Sequence, residues 1–141
     1  FQNASAANCD FTASRFIAAQ MSPIYAPGAI FKNCVFDSCF LMGIGPRSYG
    51  EGAFSDLRGC DFTGTHASKT GFDRCDVRGA NLTQARFIGC QFFEADLRDA
   101  DLTGTAFEGC EFGGVQMNDT AAIRALVQVG NNLEVDQIQW A

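Results

Sequence analysis

The side chains of this sequence that could carry chemistry are seven cysteines, one histidine and sixteen carboxylates. A tetrahedral zinc site usually draws on Cys-x-x-Cys pairs or on a Cys/His set, and the sequence holds neither arrangement. A catalytic nucleophile needs an organised base, and no such pair is visible around His66, the only histidine. We therefore interpret His66 as a solvated side chain, and we expect a non-catalytic protein with no metal and no cofactor.

The cysteines share one position in a repeat of five residues. From Leu57 to Met117 every fifth residue, here called a centre, is apolar, and a second block with the same spacing runs from Ala6 to Leu41. Most centres are Phe, Leu, Met or Val, and Ala67 is the small exception in the longer block. All the cysteines lie two residues before a centre, where we expect buried, free thiols that act as small apolar groups: Cys9, Cys34, Cys39, Cys60, Cys75, Cys90 and Cys110.

A period of five fits neither a helix, which repeats near 3.6, nor a half-buried strand, which repeats at 2. Two inward positions followed by a turn predict one side of a coil, and four sides close a square coil of twenty residues. Coils stacked about 4.8 Å apart as parallel ladders form a rod of about five coils. The sequence thus predicts an all-β solenoid in which Phe72, Phe92 and Phe112 lie directly over one another.

Individual units resemble those of a known family. Residues 80–84 (Ala-Asn-Leu-Thr-Gln), 95–99 and 100–104 are similar to the A(D/N)LXX units of pentapeptide repeat proteins. The resemblance covers about residues 4–119 and implies a right-handed quadrilateral parallel β-helix. This chain departs from the family pattern because Cys and Thr often replace Ala, and Phe is as frequent as Leu.

The repeat is interrupted at residues 44–54, a segment with one proline and several glycines that we expect to leave the coil wall. Two interpretations stay open for this loop. It is either a tolerated surface insertion or a loop that contacts a partner. The candidate contact residues are Arg47, Ser48, Tyr49 and Glu51.

The chain divides into a β-helical part, residues 1–119, and a C-terminal element, residues 120–141. A short amphipathic helix is predicted over 120–129, with Ile123, Leu126 and Val127 on one face and Trp140 further on. Such a helix would cap the open edge of the last coil. Homodimerisation through the same surface is the alternative.

The net charge of −6 argues against binding to nucleic acid backbones or to anionic membranes. No apolar run reaches the ~20 residues that a membrane-spanning helix needs. Two ladders, of Asp56, Asp76 and Asp96 and of the arginines two residues later, are expected to neutralise each other as a solvated face. The net charge is concentrated in residues 94–119, where the candidate acidic surface comprises Glu94, Asp96, Asp99, Asp101, Glu108 and Glu111.

Two functions follow. The first is a scaffold that presents the rod, the loop and the acidic pole to a protein partner whose identity the sequence does not give. The second is implied by the resemblance, since some family members mimic DNA, dimerise through their C-terminal ends and bind the type II topoisomerases DNA gyrase or topoisomerase IV. Free thiols favour a reducing compartment, and we expect a cytoplasmic protein. Because the sequence begins at Phe1, we expect a processed or trimmed chain whose targeting segment would not be seen.

Overall fold

The chain winds into short parallel strands joined by tight turns. The structure is a computed structural model that describes residues 5–21, 24–39, 41, 55–120, 123 and 138–140. Its strands are β1 (Arg15–Ile17), β2 (Val35–Asp37), β3 (Ser55–Asp56), β4 (His66–Ser68), β5 (Cys75–Asp76), β6 (Arg86–Ile88), β7 (Ala106–Glu108), β8 (Gln116–Met117) and β9 (Gln139–Trp140).

All the strand pairs are parallel. Strands β1, β2, β4, β6 and β7 form one five-stranded sheet, and β3–β5 and β8–β9 form two-stranded sheets. Isolated parallel bridges such as Asn81↔Asp101 and Gln91↔Glu111 continue the ladders on the remaining walls. The prediction of an all-β solenoid is confirmed, because the chain forms a parallel β-solenoid of about five turns.

Residues twenty apart pair with each other, so units of five give the coil four sides. We number the sides in chain order by their centres. The centres of side 1 are Ala6, Ala26, Leu57, Val77, Leu97 and Met117; of side 2, Phe11, Phe31, Phe62, Leu82 and Leu102; of side 3, Phe16, Phe36, Ala67, Phe87 and Phe107; and of side 4, Met21, Leu41, Phe72, Phe92 and Phe112.

The centres fill the axis of the rod. On side 4 the ring of Phe92 stacks on the rings of Phe72 and Phe112, with centroids 5.1 and 5.3 Å apart and planes within 7° of parallel. Its edges meet rings from side 3, with centroids 5.3 Å from Phe87 and 5.7 Å from Phe107. The predicted column of Phe72, Phe92 and Phe112 is therefore confirmed, and close packing of rings of one shape explains why Phe recurs at centres.

Each corner turns through one residue with a positive φ. Every such residue in the described part of the chain lies two positions after a centre, as at Gly59 (φ +65°) and Gly104 (φ +69°). Glycine adopts this conformation without strain, which explains its frequency there. Several corners nevertheless carry a residue with a Cβ, including Ala13 and Gln84.

The coil register continues across the interruption. On either side of it partners are twenty residues apart, as in Arg15↔Val35 and His66↔Arg86, whereas Val35 pairs with His66, thirty-one residues on. Ile30↔Asp61 on side 2 shows the same offset. The coils before and after the interruption therefore stack as one rod, with eleven extra residues accommodated between them.

The C-terminal tail returns to side 1. In β9 Gln139 pairs with Gln116 and Trp140 with Met117. Ile138 is buried, and the amide of Gln139 donates to the Val115 carbonyl at 2.7 Å. Ile138 and Trp140 thus take the two inward positions of a further repeat unit and extend side 1 by one rung beyond the last coil.

Candidate functional site

The outer surface of side 1 carries the ladder of acid–base pairs expected from the sequence. Each arginine of the ladder forms a bidentate contact with the aspartate two residues before it. In the Arg78–Asp76 pair, Nε donates to Oδ1 at 2.9 Å and Nη2 donates to Oδ2 at 2.7 Å. The same guanidinium reaches the next coil, with its Nε 3.7 Å from Oδ2 of Asp96. Because each charge has a partner, this face presents little net charge.

The ladder changes the titration of its members. Hydrogen bonding to Arg58 lowers the pKa of Asp56. The same type of contact raises the pKa of Arg78, whose partner is Asp76. Both shifts mean that the charged forms are favoured in the folded protein.

Asp96 is not part of an exposed acidic surface. Its side chain is 0 % exposed beneath Arg98, whose Nη2 lies 2.7 Å from Oδ2. The assignment of Asp96 to the acidic surface was therefore wrong, because this carboxylate is buried and paired with Arg98.

Two other members of the acidic set are neutralised by arginines one coil earlier. Glu94 accepts from Arg74 at 3.1 Å, and Glu108 accepts from Arg86 at 2.8 Å. Neither arginine was predicted as a partner of these acids, although separations of twenty and twenty-two residues place each arginine beside its acid in a twenty-residue coil.

The other three acids of the set lie on different parts of the coil. Asp101 is on side 2, Glu111 is on side 4, and Asp99 is at the corner after side 1. All three are exposed, and none forms an ion pair within the ranges that the structure covers. The backbone amide of Asp99 donates to Oδ1 of Asn118 at 2.6 Å. In return, Nδ2 of Asn118 donates to Oδ1 of Asp99 at 3.3 Å. The exposed carboxylates thus form a belt around the C-terminal coils, not one patch.

The predicted loop contacts Arg47, Ser48, Tyr49 and Glu51 lie outside the described residues. The nearest described residues on either side of the interruption are Leu41 and Ser55. The amide of Leu41 donates to the Gly71 carbonyl at 3.0 Å, and Ser55 Oγ accepts from the Ile24 amide at 3.0 Å. The described chain therefore ends on side 4 at Leu41 and resumes on side 1 at Ser55.

The C-terminal candidates are only partly described. Leu126 and Val127, with most of the predicted helix, lie outside the described residues. Ile123 and Trp140 are half-buried and pack against the core. Trp140 reaches the core through β9, a strand that the sequence analysis did not predict.

Six of the seven cysteines are buried as expected, and all seven are free. Their thiols donate to carbonyls of the preceding coil, for example from Cys60 Sγ to the Ala26 oxygen at 2.9 Å. Burial raises the pKa of Cys60 to about 12, which keeps this thiol protonated. Cys9 is exposed, which corrects its predicted burial: it belongs to the first coil, where neighbours are fewest.

His66 is exposed on side 3 at the start of β4. Within the part of the chain that the structure describes, no group of three or more His, Cys, Asp or Glu side chains could hold a metal ion. No helix among the described residues is long and apolar enough to cross a membrane.

Comparison with known proteins gives matches to one repeat type. Residues 53–84 match a model of pentapeptide repeats with eight copies, and residues 72–122 match a second model of pentapeptide repeats with nine copies. No curated protein matches the chain in sequence.

Solved structures of pentapeptide repeat proteins are similar in fold. HetL, involved in heterocyst differentiation regulation in the cyanobacterium Nostoc sp. strain PCC 7120, is 16% identical with a TM-score of 0.63, and the match covers 81% of this chain and 49% of HetL. A protein from the Arabidopsis thaliana thylakoid lumen is 18% identical with a TM-score of 0.46 over 87% of this chain and 73% of that one. QnrB1, a plasmid-mediated fluoroquinolone resistance protein, is 16% identical with a TM-score of 0.38 over 100% and 83%. At these identities the match to HetL shows the fold alone, and this chain spans about half the length of HetL.

Proposed function

Because this chain is a pentapeptide repeat protein, we propose that it is a non-catalytic scaffold in which a rigid rod presents the segment 44–54 to a protein partner. The observation that carries the proposal is the unbroken register across that segment, with Val35 paired to His66 and Ile30 to Asp61. An insertion that leaves the ladders on both sides intact is free to vary in sequence without cost to the core. Loops held by rigid walls are common recognition elements.

The surface next to the insertion supports a contact with another protein. Phe93, on side 4, is 40% exposed although its neighbour Phe92 is fully inside. Tyr25, on side 1, is 52% exposed. Large apolar and aromatic side chains are enriched at the buried centre of protein interfaces. Tyr25 would enlarge a surface centred on the loop, since it bridges to Asp56 just after the insertion, whereas Phe93 lies on side 4 two coils beyond Leu41.

The register suggests a sharp deletion experiment. Removing residues 44–54 takes out the eleven extra residues and restores the twenty-residue spacing between Val35 and His66. We expect this variant to keep its melting temperature within a few degrees but to lose the partners captured by the intact protein. A milder variant, Tyr49→Ala, should weaken capture without affecting stability. Unchanged partners with the deletion variant would remove the loop from the proposed function.

The second candidate is DNA mimicry directed at DNA gyrase or topoisomerase IV. The observation that favours it is the belt of exposed carboxylates formed by Asp99, Asp101 and Glu111, without ion pairs among the described residues. The neutralised pairs at Glu94 and Glu108 reduce the negative charge available to a DNA-binding enzyme. We therefore rank mimicry second.

Mimicry is tested by gyrase supercoiling with increasing protein, repeated across a salt series, because charge-based binding weakens as salt increases. The triple variant Asp99→Asn, Asp101→Asn and Glu111→Gln should abolish any inhibition. Absence of inhibition by the native protein at micromolar concentration would eliminate this candidate.

We also propose that the C-terminal element, residues 120–141, either forms a homodimer or caps the last coil. The variant Leu126→Asp should lower the mass in solution if that element dimerises, and should reduce solubility if it caps the last coil. An unchanged mass and solubility would assign neither role to Leu126. Because the thiols are free, we place the proposed function in the reducing cytoplasm.

A further inference from the structure

The corner between side 3 and side 4 carries a column of small residues two positions before the side 4 centres. Cys90 and Cys110 occupy successive coils of this column. They are bracketed by in-register partners, Ile88↔Glu108 in the β6–β7 ladder and the bridge Gln91↔Glu111. The amide of Glu111 donates to the Cys90 carbonyl at 3.0 Å, which fixes the two cysteines as direct neighbours.

We propose that Cys90 and Cys110 form a redox-active dithiol, which closes to a disulfide between adjacent coils by exchange with a small-molecule disulfide. Strands that neighbour each other in a ladder lie about 4.8 Å apart. This spacing falls within the Cα–Cα range of about 4.4–6.8 Å found for disulfides. The spacing of the two Cα atoms is therefore compatible with the bond.

The pair is singular within the described residues. Every other cysteine has a residue of another type at the equivalent position of the neighbouring described coils. The twenty- or thirty-one-residue spacing gives these neighbours: Ala29 for Cys9, Ser14 and Thr65 for Cys34, Ala19 and Thr70 for Cys39, Ala29 and Ala80 for Cys60, and Ser55 and Ala95 for Cys75.

The two thiols differ in ways that assign their order of reaction. Cys110 is 6% exposed, whereas Cys90 is 0% exposed. Each sulfur donates to a carbonyl of the preceding coil, Cys90 to Ala67 and Cys110 to Phe87, both at 3.4 Å. Cys110 is thus the more accessible sulfur, and it attacks first.

The reaction balances as two exchanges. The Cys110 thiolate attacks one sulfur of the small disulfide, forms a mixed disulfide and releases one thiolate, which takes up a proton. Cys90 then loses its proton and attacks the Cys110 sulfur, and the bond between the coils forms as the second small thiol leaves. The protein dithiol is oxidised by two electrons, and the small disulfide is reduced to two thiols.

The test uses the full chain and glutathione disulfide as the probe. Because the exposed Cys9 would itself form a mixed disulfide with glutathione, the assay is run on Cys9→Ser. After incubation of this folded variant, quenching with acid and alkylation in denaturant, we expect two fewer labels than the six of the reduced variant. Peptide mapping should find one linked pair, Cys90 with Cys110, and urea midpoints should rise on oxidation because the unfolded chain is cross-linked. Six labels after prolonged incubation, or a linked pair other than this one, would overturn the proposal.

Threonine provides matched variants, because Thr70 already occupies this column and is buried. In the Cys9→Ser background, Cys39→Thr removes a cysteine of the same column and should still lose two labels on oxidation. In the same Cys9→Ser background, Cys110→Thr should lose none, since Cys90 is covered. Circular dichroism would verify that both variants fold, and the peptide map of the unaltered chain tests the proposal without them. Loss of two labels in folded Cys110→Thr would contradict the assignment.

Discussion

Replacement of Phe92 by alanine tests whether the centres fill the rod. The ring is 1% exposed and meets four other rings, two stacked and two edge-on, with centroids 5.1–5.7 Å away. Burial and cavity terms together put a Phe→Ala change at ~3–5 kcal/mol. The ladders on all four sides prevent the walls from collapsing into the space. We therefore expect the free energy of unfolding to fall by about 4 kcal/mol.

The neighbouring residue provides the control. Phe93 has the same side chain, follows Phe92 directly and is 40% exposed. Phe93→Ala should cost about 1 kcal/mol or less, because much of the ring already contacts water. Urea unfolding followed by circular dichroism measures both variants. Equal losses at the two positions, or a larger loss at Phe93, would refute the assignment of inward and outward positions.

A double-mutant cycle extends this test to the coil repeat. Phe92→Ala and Phe112→Ala should not be additive, since stacked rings on successive coils contribute about 0.5–1.5 kcal/mol to each other. Phe92→Ala and Phe36→Ala should be additive within about 0.5 kcal/mol, because Phe36 lies two coils away on another side. Coupling of the second pair and not the first would contradict the stacking.

Further predictions concern the corners, the ladder and the tail. Gly59→Ala should cost about 1 kcal/mol from positive φ alone, since nothing lies near its added Cβ. Gly104→Ala should cost about as much, because its Cβ would meet only the end of the exposed Gln84 side chain, which can move aside, and a much lower urea midpoint than that of Gly59→Ala would contradict this. The lowered pKa of Asp56 stabilises the fold above its unfolded pKa of about 3.9, and this stability is lost as pH falls through the lowered folded value. Asp56→Asn should therefore lower the melting temperature at pH 7 but much less at acidic pH, and a gap that does not depend on pH would refute the shift. Ile138→Asp should detach β9 and shift the fluorescence of the single tryptophan to longer wavelength, whereas an unshifted spectrum would show that the strand remains docked.

Much of the fold could be predicted because a single period controls it. The spacing of Phe72, Phe92 and Phe112 predicts the stacking without reference to any contact. Glycines two residues after the centres predict the corners, since positive φ selects for glycine. Ala13 and Gln84 occupy the same corner conformation. Composition alone could not have indicated them, because the coil imposes that backbone whatever the side chain.

The candidate site was less predictable because exposure depends on neighbours in space. Asp96 and Asp101 both precede a centre, yet Asp96 is buried and paired with Arg98, whereas Asp101 is exposed. Cys9 occupies the same repeat position as Cys60 but is exposed in the first coil. The strand β9 departs from the twenty-residue period, since Trp140 pairs with Met117, which lies twenty-three residues before it. Its position depends on the path of the intervening chain, which has no repeat to follow.

The most direct test of the account is the register across the interruption, measured by cross-strand nuclear Overhauser effects between backbone protons. The stacked rod predicts contacts of Val35 with His66 and of Phe36 with Ala67, thirty-one residues apart. Contacts of Val35 with Ser55, at the uninterrupted spacing of twenty, would show that the coils do not stack across the insertion.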